Sequence, residues 1–162
     1  MKKFFAISLI VIISMFTLTA CNSKMSQHTL SKQMGIDVSG GKEVSVVDTY
    51  SGGEGTLCIT ISFDDDSVLK QIKSNTEWKA FPLDETVKTL VYGIEDETKK
   101  EGPFLSDGDG NPLMPEIQNG YYRLIDRHYD TKTDILNRAS FNFTVGLYDT
   151  DNNTLYLCKL DT

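Results

Sequence analysis

Asp126-Arg127-His128 puts a carboxylate and an imidazole two residues apart at the end of a strand-like run. On extended backbone both side chains point to the same side, so the carboxylate is placed to orient the ring. A hydrolase using Asp126 and His128 also needs a nucleophile, and no Gly-x-Ser-x-Gly or similar signature supplies one. Arg123 and Arg127 fall on the opposite face with Tyr121, Ile125 and Tyr129. Read sharply, Tyr121, Arg123, Arg127 and Tyr129 form a small basic-aromatic patch suited to an anionic group. Read plainly, they are a strand face of charged cross-strand pairs, which is the simpler account. Cys58 and Cys158 are either a disulfide or two buried thiols. Outside the cytoplasm an even pair can oxidise, but directly paired strands rarely offer good geometry. Nothing near either thiol would activate it as a nucleophile.

Asp107, Asp109 and Asn111 alternate as calcium ligands do, and so do Asp149, Asp151 and Asn153. An EF-hand loop wants Gly at its sixth position and Glu at its twelfth. Counted from Asp107 those positions hold Pro112 and Gln118, so both segments read as turns. Glu54 is a carboxylate in a glycine turn and reads as solvated. No His/Cys metal spacing, phosphate-binding glycine loop or nucleotide fingerprint is present. No catalytic residue, metal or cofactor is therefore assigned.

The elements that must hold these residues are short. Thr56 to Phe63 alternates strictly, with Leu57, Ile59, Ile61 and Phe63 on one face. With residues 43–50 and the turn Ser51-Gly52-Gly53-Glu54-Gly55 it predicts a hairpin. Two short helices follow, one after Asp64-Asp65-Asp66-Ser67 and one capped by Asp84 and closed by Gly93. Residues 94–115 read as a long exposed loop. Residues 120–128, 140–148 and 154–160 predict a three-strand meander. The expectation is α+β: an antiparallel sheet of about five strands with two short helices on one face.

The chain has 162 residues, 24% charged and 40% hydrophobic, with a formal charge of −7. That suits a globular domain and argues against nucleic-acid binding, which needs clustered Lys and Arg. The N-terminus differs in kind: Met1-Lys2-Lys3, then an uncharged run from Phe4 to Leu18, then Leu18-Thr19-Ala20-Cys21. A basic segment followed by an apolar run of that length is an export signal, short for a spanning helix. The four-residue box resembles that of bacterial lipoprotein precursors. The resemblance implies cleavage before Cys21 and a diacylglyceryl thioether on its sulfur, and two acyl chains anchor a protein stably. It implies a signal peptide over 1–20. The residues that follow show no sustained apolar period, so 21–35 read as a polar tether with His28 solvated, and one domain is expected over 36–162. The protein is then expected at the cell membrane, within the cell envelope, lipid-anchored, with its domain outside the cytoplasm.

Residues 119–128, Ser140-Phe141-Asn142-Phe143-Thr144, Tyr148-Asp149-Thr150-Asp151 and Thr154-Leu155-Tyr156 are similar to a group of uncharacterised small bacterial lipoproteins. This resemblance implies a shared fold and carries no activity. The functional expectation is a non-catalytic binding module, and the alternative is a small envelope hydrolase using Asp126 and His128. The module's partner would be an envelope protein, a wall polymer or a small ligand.

Overall fold

In a computed structural model, residues 27–95, 97 and 99–162 are described. The signal segment 1–20, Cys21 and the start of the expected tether lie outside them. Helix α1 covers 27–33. Hairpin strands β1 (Lys42–Asp48) and β2 (Gly55–Ser62) come next, then α2 (Ser67–Ser74), β3 (Lys79–Ala80) and α3 (Glu85–Tyr92). β4 (Ile94–Glu95) and β5 (Lys100–Glu101) form a separate two-stranded ladder. β6 (Gly120–Asp126), a 3₁₀ turn (Ile135–Asn137), β7 (Asn142–Asp149) and β8 (Thr154–Asp161) complete the chain. The fold is α+β, and the main sheet is antiparallel in the order β1-β2-β8-β7-β6-β3. It has six strands where the sequence suggested about five, the addition being the two-residue β3.

The hairpin forms as its glycines require. Gly52 and Gly53 have φ of 65° and 98°, a region that costs other residues strain. The meander β6-β7-β8 also stands where alternation puts it. The pairing of β2 with β8 joins hairpin to meander, with Leu57, Ile59 and Ile61 opposite Lys159, Leu157 and Leu155.

Both faces of the sheet are covered, which corrects the expectation of two helices on one face. Leu57, Ile59, Ile61, Leu155 and Leu157 pack with Leu30 and Met34 near α1, Val68 and Ile72 of α2, and Trp78. Cys58, Phe143, Val145, Leu147 and Cys158 pack on the other side with Val87, Leu90 and Val91 of α3. The sequence alone leaves this open, because each helix has one short apolar stripe and nothing local says which side of a sheet it will meet.

Two further segments differ from expectation. Leu30 and Met34, at 2% and 0% exposure, are core, so residues 27–35 belong to the domain rather than to a tether. Their one i,i+4 pair is too short to read as a period. His28 is exposed, as expected. Residues 94–115 are not simply an exposed loop. Leu105 and Met114 are buried against the α3 side of the sheet, and Phe104 and Leu105 donate backbone N–H groups to Leu90 O. α3 is built as its cap residue dictates: Asp84 accepts from Val87 N at 2.9 Å. α2 differs in detail, because Asp65 rather than the N-cap Asp66 accepts from Ser67 N.

Candidate functional site

β6 ends at Asp126, so the strand parity that would put Asp126 beside the His128 ring does not hold. The carboxylate turns to Arg138, which follows the 3₁₀ turn. Arg138 Nη1 donates to Asp126 Oδ1 and Nη2 to Oδ2, both at 2.8 Å. Asp126 Oδ1 also accepts the backbone N–H of His128 at 3.0 Å. The Arg138 hydrogen bonds hold the Asp126 carboxyl below its ordinary range, outweighing burial.

His128 is 7% exposed, and its ring stacks on Tyr129 at 4.4 Å. Nδ1 accepts the backbone N–H of Asp130 at 3.0 Å, which assigns the ring proton to Nε2. Nε2–H then donates to Ser140 Oγ at 3.2 Å. To deprotonate Ser140, Nε2 would have to be bare and Nδ1 would have to point a proton at the Asp130 N–H. The pair is thus arranged to fix a loop, and Ser140 is not activated. The Asp130 carboxylate caps the same loop, accepting from Lys132 N and Thr133 N, and its pKa is lowered to about 2, with the Thr133 side-chain hydrogen bond leading. A cavity of about 280 Å³ lies against this loop, lined by His128, Tyr129, Thr133 and Ser140 among others.

The four residues of the basic-aromatic patch do not form one surface. Arg123 is largely buried and ion-paired with Glu77. Arg127 Nη2 meets Asp161 Oδ1 at 2.5 Å, and its Nε donates to Thr144 Oγ1 at 2.9 Å. Asp161 Oδ2 also takes Tyr50 O–H and Lys159 Nζ, each at 2.6 Å. Burial acts to raise the Asp161 pKa, but the hydrogen bonds from Lys159, Tyr50 and Arg127 prevail and lower it. Burial and the same contact push the Tyr50 phenol up. Arg127 is therefore a clamp tying the end of β6 to β7 and β8, and Asp161 carries the contact on to Tyr50 in the β1–β2 turn. Tyr129 is 92% exposed beside His128. Tyr121 instead lines an open cleft of about 520 Å³ with Leu69, Lys73, Phe81 and Pro82.

Cys58 and Cys158 sit directly opposite on β2 and β8, with Cα atoms 4.1 Å apart and their sulfurs joined. Strand pairing therefore brings the thiols together, and of the two readings of the sequence the disulfide is the one the structure has. Asp107 is consumed by its own turn: Oδ1 accepts from Asp109 N and Asn111 N, each at 2.9 Å. These bonds, Asn111 first, lower its pKa. Asp149 repeats the design with Asp151 N and Asn152 Nδ2, each at 2.8 Å. Among the described residues no three His, Cys, Asp or Glu side chains are grouped to hold a metal. Glu54 is exposed.

Sequence reasoning missed Arg138 and Ser140, which reach Asp126 and His128 from twelve residues away across an irregular loop. It also missed Asp161 as the partner of Arg127. No local pattern signals either. No protein-family model, no curated protein and no solved structure matches the chain.

Proposed function

We propose that this chain is a lipid-anchored protein of the bacterial cell envelope whose α+β domain is a non-catalytic interaction module. Cleavage before Cys21 and diacylglyceryl transfer to its sulfur supply the anchor. The partner is an envelope protein, a wall polymer or a small ligand. The observation that carries the non-catalytic reading is the two-pronged Arg138 grip on Asp126. It takes the carboxylate away from the imidazole that a hydrolase would need it to orient. The joined Cys58 and Cys158 agree with an oxidising compartment.

The test compares the full chain with its Cys21→Ser and His128→Ala variants in cells. The full chain should fractionate with membranes and Cys21→Ser should be released. Against ester, amide and glycoside substrates, wild type and His128→Ala should both stay at background. Turnover that His128→Ala abolishes, with its circular dichroism unchanged, would establish the hydrolase reading instead.

A further inference from the structure

The two edges of the main sheet are built differently. At one end β3 contributes two residues and runs straight into Phe81-Pro82, where proline offers no N–H to a neighbour. Such an edge is closed to strand addition. At the other end β1 offers seven residues, every one exposed, and among the described residues pairs only with β2. Val44, Val46 and Val47 are 61%, 37% and 38% exposed, and they account for three of the four large hydrophobic side chains exposed among the described residues. The ladder slips between Glu43 and Ser45, so Val44 is an extra residue turned out of the pairing.

Charged residues on an edge strand ordinarily repel an incoming strand. On β1 the charges have opposite signs at the two ends: Lys42 begins it and Asp48 closes it. We propose that β1 is a dimerisation strand that pairs antiparallel with β1 of a second copy, about a two-fold axis between Ser45 and Val46. Because the ladder passes over Val44, that register sets Lys42 against the second copy's Asp48, Glu43 against its Val47 and Ser45 against its Val46. Moving the axis onward to Val46 would set Glu43 against Asp48, a like-charge pair. Moving it back to Ser45 would set Lys42 against Val47 and leave Asp48 outside the pairing. The register between Ser45 and Val46 alone joins lysine to aspartate. It would extend the sheet from six strands to twelve and cover the one long open edge. The inference is independent of whether Cys21 is lipidated.

The test is sedimentation equilibrium of the full chain in density-matched detergent from about 1 to 100 μM, a range that brackets a micromolar dimer. Lys42→Asp puts like charges opposite at both ends of the pairing. It should raise the dimer dissociation constant about ten-fold. The double variant Lys42→Asp/Asp48→Lys restores opposite charges in the same register and should recover wild-type affinity. Unchanged far-ultraviolet circular dichroism of each variant guards against a folding defect, since Asp48 also accepts the Tyr50 N–H. A wild-type chain that stays monomeric throughout overturns the proposal. So does a dimer indifferent to Lys42→Asp, or one that the double variant fails to restore.

Discussion

Gly146 lies in the middle of β7 with the indole of Trp78 directly over it. A Cβ at this position would stand 2.7 Å from Trp78 Cη2 and 3.4 Å from Leu157 Cδ2 and Met34 Sδ. Carbon atoms rest at about 3.5–4.0 Å, so Gly146→Ala must push the indole away by roughly 1 Å. Trp78 has little room to comply. It is 6% exposed, and its Nε1–H donates to Met34 O at 3.1 Å. Overpacking a core in this way costs about 1–3 kcal/mol, and loosening that hydrogen bond adds about 1 kcal/mol. Replacing a strand glycine recovers about 0.5–1 kcal/mol of backbone entropy. The net expectation is a loss of about 1–3.5 kcal/mol, or about 4–14 °C in Tm for a domain of this size. Trp78 is the only tryptophan in the chain, so urea unfolding followed by its emission reads stability and displacement together. Gly108→Ala is the control, because an added Cβ there meets nothing within 4 Å. A Gly146→Ala protein within about 0.5 kcal/mol of wild type, with unchanged native emission, would refute the packing argument.

Three other outcomes follow from the contacts. Asp161→Asn should cost about 2–3 kcal/mol near pH 7, just below the range of about 3–5 kcal/mol for a broken buried pair because both side chains keep some exposure. The Asp161 pKa is lowered in the fold, so its contribution is complete above the unfolded value of about 4 and fades as pH falls through the folded one. Denaturant midpoints of wild type and Asp161→Asn should therefore converge at acid pH, and a constant gap would contradict the clamp. Cys58 and Cys158 are separated by 100 residues, so reduction should lower stability by about 2–5 kcal/mol, read from urea curves with and without reductant. Asp84→Ala removes the α3 cap and a 3.1 Å hydrogen bond from Tyr122 O–H, so it should cost about 1–2 kcal/mol by thermal melting. Asp66→Ala, which removes only an exposed pair with Lys70, should stay within about 0.5 kcal/mol.

Local signals in the sequence were sufficient wherever the physics is local. The alternation Leu57-Ile59-Ile61 gives β2, Asp84 and Gly93 bound α3, and the Asp149-to-Asn153 turn closes the last hairpin. What the sequence conceals depends on pairing between distant segments. β2 meets β8 across about a hundred residues, and that contact alone decides that Cys58 faces Cys158 and that Tyr50 reaches Asp161. Leu30 and Met34 form a single i,i+4 pair, too little to register as a helix face. Leu105 and Met114 plug the sheet from a segment with no period at all. The site suffered from the same limit. Parity placed Asp126 with His128 only if the strand ran on to residue 128, and it stops at Asp126, where Arg138 takes the carboxylate.

The intact mass of the protein extracted from cell membranes, measured before and after reduction, tests the lipid anchor most directly. The expected species begins at Cys21 and carries a diacylglyceryl group, with a gain of two hydrogens on reduction as the Cys58–Cys158 bond opens. A mass corresponding to an unlipidated chain would contradict the anchor and remove the main support for an envelope interaction module.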